Sequence, residues 1–201
     1  MLQSLVNPKL KIPFNLNGHL ELKEEQSGTD YLSEVILSGF SELSENKFAF
    51  SLDREGFYNS FIDKSREKVN KNCDGVLFLY KTQDNVVFIK VFLMELKSKK
   101  PKPIQYEPQL INGALFTNYL RELYLNHFSN ENKNIKIEYF YILFYLDQGK
   151  RPIIKKPGIR EKYKYISFES MQNYKEQILK YPMGKTAKNY ITIQDIISHY
   201  K

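Results

Sequence analysis

The chain predicts an α/β fold, and three stretches carry that prediction. Cys73 to Lys81 and Val86 to Lys97 are apolar, β-branched and aromatic runs separated by the polar Thr82-Gln83-Asp84-Asn85, the pattern of a β-hairpin. From Pro108 to Phe128, Leu110, Ile111, Leu115, Tyr119, Leu120, Leu123 and Tyr124 recur at helical spacing, with Pro108 suited to a first turn. Ile135 to Leu146, rich in Ile, Tyr and Phe, then reads as a long strand.

The remaining elements follow in chain order. Residues 1–28 are mixed, with Pro8, Pro13 and Asn17-Gly18 marking loops and one short strand expected at His19 to Lys23. Thr29 or Asp30 can cap a helix over Tyr31 to Ser38, with Leu32, Val35 and Ile36 on one face and Gly39 following it. Lys47 to Leu52 alternates as a strand does and ends at the turn-like Asp53-Arg54-Glu55-Gly56. Phe57 to Asn70 is expected to contain a short helix. Lys99-Lys100-Pro101-Lys102-Pro103 is a basic loop, because proline cannot donate within a central strand. Ser170 to Tyr181 reads as a helix stopped by Pro182, and Ile193 to Tyr200 as a last helix after Thr192.

Length and composition bound the class. A chain of 201 residues buries a substantial core, and a single domain spanning residues 1–201 is expected. Thirty Lys and Arg against 23 Asp and Glu give a net charge of +7, which suits a polyanionic partner. One cysteine excludes an internal disulfide framework and points to the reducing cytoplasm. The first residues lack a basic region followed by an apolar core, so no signal peptide is expected, and no apolar run is long enough to span a bilayer.

The hairpin makes a chemical prediction. Asp and Asn tolerate positive φ, so Asp84-Asn85 can form the two-residue turn that hairpins prefer. If Gln83 then faces Val86, counting outward in equal steps puts Asp74 opposite Glu95. Directly opposed side chains share a face with Cβ atoms about 5 Å apart, and the period of two adds Lys97 to that face. Two carboxylates so close need a counter-ion, and a divalent metal held by oxygen ligands supplies one.

Asp74, Glu95-Leu96-Lys97 and the helix-borne Gln109 together resemble the signature of the PD-(D/E)XK nuclease superfamily, over about the central third of the chain. Cys73 stands where the family's proline would be, and Gly113 where some members carry the tyrosine of Gln-x-x-x-Tyr. Glu-x-Lys occurs at Glu21/Lys23, Glu45/Lys47, Glu95/Lys97 and Glu131/Lys133. Only the third ends an apolar run paired with another that carries an Asp in register.

The resemblance implies a restriction-endonuclease-like core of αβββαβ order, a mixed central sheet flanked by helices. It implies a Mg²⁺-dependent nuclease, with Mn²⁺ able to substitute. Asp74, Glu95 and the Leu96 carbonyl would hold metal, Lys97 would assist the chemistry, and Gln109 would pack over the site. The helix before the hairpin would add an acid, Glu34, with Glu42 behind it. The substrate implied is nucleic acid, DNA being the expected polymer, in a bacterial defence or restriction system that uses a homodimer or a protein partner. Two other readings stay open: a nucleic-acid-binding module without hydrolysis, and an interaction subunit of a larger assembly.

Positive charge is concentrated in 150–164, where Lys150, Arg151, Lys155, Lys156, Arg160, Lys162 and Lys164 face one acid, Glu161. Tyr163, Tyr165 and Phe168 follow, so Lys155, Lys156, Arg160 and Lys162 are candidates for nucleic-acid contact, as are Lys99, Lys100 and Lys102 beside the site. Gly184-Lys185-Thr186 lacks the earlier glycine and preceding strand of a P-loop. His19, His127 and His199 are scattered and support no zinc cluster.

Overall fold

Asp84 and Asn85 have φ of 49° and 59°, and Gln83 pairs with Val86, so the hairpin closes through the expected left-handed turn. The computed structural model describes residues 2–23, 34–43, 46–53, 71–98, 101–128, 134–146, 178–183 and 189–200. The helix expected in Phe57 to Asn70, the segment 150–164 with Lys155, Lys156, Arg160 and Lys162, the loop residues Lys99 and Lys100, and Gly184-Lys185-Thr186 lie outside the described residues.

In chain order the strands are β1 (Lys11–Ile12), β2 (Leu20–Lys23), β3 (Glu34–Ser38), β4 (Asn46–Phe50), β5 (Gly75–Gln83) and β6 (Val86–Lys97). Helix α1 (Glu107–His127) follows, then β7 (Asn134–Leu146), β8 (Ile178–Met183), β9 (Asn189–Thr192) and α2 (Ile193–Ser198). Six strands form one mixed sheet in the order β1-β4-β5-β6-β7-β8, and three form a second, β2-β3-β9. β4, β5 and β6 make an antiparallel meander, whereas β7 and β8 run parallel to β6. A parallel neighbour needs a crossover, and α1 supplies it between β6 and β7.

The large sheet is buried on both faces. Leu93, Val91, Leu143 and Tyr141 join Tyr106, Leu110, Ala114 and Leu120 in a core under α1. On the other face Leu77, Phe92, Met94 and Leu96 pack with Leu20, Leu22, Val35 and Leu37 of the small sheet and with Ile193 and Ile196 of α2. Among the described residues the covering is therefore α1 on one side and mainly a second sheet on the other, where a sheet flanked by helices was expected.

Two elements differ in type from the sequence reading. Glu34–Ser38 is a strand, antiparallel to β2 and parallel to β9, where a helix was expected. Val35, Ile36 and Leu37 are all buried, so the run is apolar on both faces, and the helical spacing seen in Leu32, Val35 and Ile36 does not describe it. Gly39 keeps a left-handed φ of 80°, but it ends a strand. Ile178–Met183 is likewise a strand pairing with Tyr141 to Leu146, where the end of a helix was expected. Pro182 is tolerated there because β8 is the outermost strand of its sheet. α2 begins as expected: the Thr192 hydroxyl caps it by accepting from the Asp195 N–H at 3.1 Å.

Candidate functional site

Strand direction gathers the predicted residues at one margin of the large sheet. β6, β7 and β8 end there, β5 starts there, and α1, which runs back along β6, begins there. In such sheets the carboxyl ends of parallel strands are where ligands bind, and the start of α1 adds the positive end of its helix dipole.

The hairpin register carries Asp74 and Glu95 to this margin as the sequence predicts, since Gly75 pairs with Met94 one step inside them. Asp74 Oδ2 accepts from the Leu96 N–H at 2.6 Å, so the side chain continues the ladder one step past the end of β5. The N–H and C=O of one strand residue point to the same side, so the Leu96 carbonyl also faces the Asp74 side. Lys97 forms an ion pair with Glu95 Oε1 and retains partial contact with solvent.

Although Glu95 stands at the open end of the hairpin, it is 0% exposed. The cause is the closeness of α1. A Cβ at Gly113 would stand 2.8 Å from Cys73 Sγ and 3.0 Å from Leu93 Cδ2, so only glycine lets the helix settle at this depth. Leu93 and Glu95 share a face of β6, and Gln109 lies one helical turn from Gly113 toward the margin, which brings it over the neighbourhood of Glu95. Gly113, which sequence reasoning set against the tyrosine of Gln-x-x-x-Tyr, is thus a packing glycine.

Burial is the main reason the Glu95 carboxyl is held well above its ordinary range, and the Asp74 charge adds to it; the Lys97 ammonium offsets only part. The Cys73 thiol is pushed up by the same burial and by both carboxylates. Apart from the Lys97 ion pair at Glu95 Oε1, five buried side-chain atoms lack a hydrogen-bond partner among the described residues: Asn72 Oδ1, both Glu95 oxygens, Gln109 Oε1 and Arg121 Nε. Four of the five are oxygens borne by β6, by the segment leading into Asp74, and by the first turn of α1. Orphaned buried acceptors are costly, and a set made only of oxygens is what a hard divalent cation with bound water would satisfy. Among the described residues no three His, Cys, Asp or Glu side chains form a metal-holding group by themselves. From the described residues a cation here could draw on the Asp74 and Glu95 carboxylates, the Leu96 carbonyl and water.

Asp53 is a residue that sequence reasoning missed. Its charge raises both Glu95 and Cys73, which places it within electrostatic reach of the site. The β4–β5 register explains its position: Phe50 pairs with Val76 in antiparallel register, so the residues after β4 run beside those that precede β5. Lys102 is exposed on the loop leading into α1, and its N–H donates to Gln105 Oε1 at 2.7 Å.

Glu34 is not brought to this site. It pairs with Lys23 at 3.3 Å on the small sheet. Val35 and Leu37 point from β3 into the core shared with the large sheet, so alternation turns Glu34 to the opposite face. The reason is the change of element type, because the helix that was to present it is a strand. Of Glu42 only the backbone, in a short 3₁₀ turn, is described.

Comparison with protein-family models, curated proteins and solved structures finds no match. No helix among the described residues is long and apolar enough to cross a membrane.

Proposed function

We propose that this chain is a Mg²⁺-dependent nuclease of the PD-(D/E)XK type, cleaving nucleic acid, with DNA as the expected polymer. The observation that carries the reading is Glu95: a carboxylate with no exposure, met only by the Lys97 ion pair at Oε1, with no partner on Oε2 among the described residues and with Asp74 beside it. A group so poorly compensated costs stability and calls for a cation that binds it. The order β4, β5, β6, α1, β7, with β7 parallel to β6, supports a restriction-endonuclease-like core, though among the described residues no α-helix precedes β5. The net charge of +7 supports a polyanionic substrate, and the single free cysteine, Cys73, is consistent with work in the cytoplasm.

In this reading Asp74, Glu95 and the Leu96 carbonyl hold Mg²⁺ or Mn²⁺. The ion supplies an acidified water and offsets charge on the scissile phosphate when bound. Lys97, freed from neutralising Glu95 alone, faces the developing negative charge with its ammonium. Gln109 orients groups through the amide it extends from α1, and Asp53 adds negative potential that favours cation entry. Cys73 takes no part, since burial keeps its thiol protonated.

The test is incubation of the purified chain with plasmid, single-stranded DNA and RNA, each with Mg²⁺, Mn²⁺ or EDTA. Cleavage that requires the metal and is lost in Glu95→Gln is expected. Metal-independent cleavage, or none of any polymer, would overturn the reading.

A further inference from the structure

A cation that the proposed chemistry does not use stands on the same face of the sheet as Glu95. Glu95 pairs with Leu143 across β6 and β7, and Leu143 pairs with Lys180 across β7 and β8. Two strand spacings put Lys180 about 10 Å from Glu95 along one row. Ile178, two residues earlier, packs in the core under α1 with Leu93 and Leu143, so alternation places Lys180 on the α1 side.

Lys180 is half-buried, and its ammonium lies 5.7 Å from the ring centroid of Tyr106, a fully buried residue at the start of α1. The ring restricts the ammonium to the margin where β6, β7 and β8 end. Among the described residues no carboxylate forms a salt bridge with it. A lysine with its stem on apolar surface commonly extends its charge to water. Here that charge emerges beside a margin already carrying Lys97, where a polyanion would lie.

We infer that Lys180 binds a phosphate of the substrate backbone next to the one being cleaved, and so sets the register of the strand across the margin from Glu95 to β8. The inference rests on the nuclease reading of this site. Lys180 makes its contact equally in ground and transition states, so it governs binding and leaves the chemical step alone.

The experiment compares wild type, Lys180→Met and Lys180→Arg on a labelled DNA duplex. Binding is followed by fluorescence anisotropy over a salt series with Ca²⁺ in place of Mg²⁺, and turnover is measured with Mg²⁺. For Lys180→Met we expect KM and Kd to rise about tenfold, kcat to stay within about twofold, and the slope of log affinity against log salt to become shallower by about 0.9. Lys180→Arg should restore the slope, because it keeps both charge and ring contact. Lys180→Gln serves as a second neutral variant should Lys180→Met lower the melting temperature. An unchanged slope and KM in the neutral variants, with wild-type cleavage intact, would overturn this inference alone. A wild-type chain that neither binds nor cuts any nucleic acid would overturn the nuclease reading and this inference with it.

Discussion

The tripeptide Glu-Leu-Lys occurs twice, as Glu21-Leu22-Lys23 in β2 and Glu95-Leu96-Lys97 in β6, and its two settings differ in one physical variable. In both, the leucine enters the same apolar core between the sheets. Each Glu-Lys pair meets an acid on a neighbouring antiparallel strand, Glu34 opposite Lys23 and Asp74 beyond the Gly75–Met94 pair. The outer face of β2 is partly solvated. Lys23 bridges Glu21 at 3.0 Å and Glu34 at 3.3 Å, and the hydrogen bonds its ammonium donates to the two acids raise its pKa. The equivalent face of β6 lies under α1, so Glu95 is driven toward its neutral form. One chemical motif thus yields a satisfied surface cluster in one place and an electrostatically unsatisfied one in the other. Burial, which three letters do not encode, makes the difference.

The largest effect that would break or sharpen this contrast is on activity. Glu95→Gln and Asp74→Asn should each lower metal-dependent cleavage by about 10³-fold or more, while Glu21→Gln and Glu34→Gln leave the rate unchanged. Full activity in either site variant, read on plasmid with Mg²⁺, would dissolve the distinction. Lys97→Met follows, at about 10²-fold in rate, because it removes the charge and its donors yet keeps most of the aliphatic stem. Its affinity for Mn²⁺, measured by calorimetry, should be unchanged or slightly tighter, since a competing positive charge is gone.

Stability gives the next contrast. The folded-state pKa of Glu95 lies above the ordinary 4.5, so between those values the folded chain holds a proton that the unfolded chain has released. Stability therefore falls as pH rises from about 4.5 through the folded value. Glu95→Gln removes that loss and should stabilise the metal-free protein by about 1–3 kcal/mol at neutral pH, with a smaller gain at pH 4. Millimolar Mn²⁺ should raise the melting temperature of the wild type and leave Glu95→Gln unmoved. A flat pH dependence of the difference between the two proteins would show that Glu95 is better compensated than its surroundings indicate.

Gly113→Ala tests the cause of burial itself. The added methyl meets Cys73 Sγ and Leu93 Cδ2, and lifting α1 to relieve the clash should cost about 1–3 kcal/mol. The same lift should hydrate Glu95 and flatten the pH dependence of stability. Loss of stability with an unaltered pH profile would show that α1 is not what keeps Glu95 dry.

Much of the central fold was legible because local and long-range signals agreed there. The Asp84-Asn85 turn fixed the hairpin register, and the regular spacing of α1 and the long β7 run left little ambiguity about type. β3 and β8 were misread for a shared reason: each is a short apolar run with a parallel partner remote in sequence. Val35-Ile36-Leu37 fits helix or buried strand equally until β9 is alongside, and Pro182 ends a helix or marks an outer strand with the same chemistry. At the site, the juxtaposition of Asp74 and Glu95 was readable from turn geometry. The depth of Glu95 was not, because it depends on Gly113, which looked like a gap in a motif. Asp53 needed the β4–β5 register, and Glu34 was assigned on a helix that does not form.

Pro182 has a consequence for how this molecule meets copies of itself. A sheet margin with a continuous row of N–H and C=O groups is a template for another chain's strand, and crowded proteins aggregate through such templates. At one margin of the large sheet β8 carries a residue with no N–H to offer. Among the described residues an incoming strand at this margin would find a broken row, so edge-to-edge growth is hindered there. Self-association across β8 then depends on side chains, which selection can tune residue by residue.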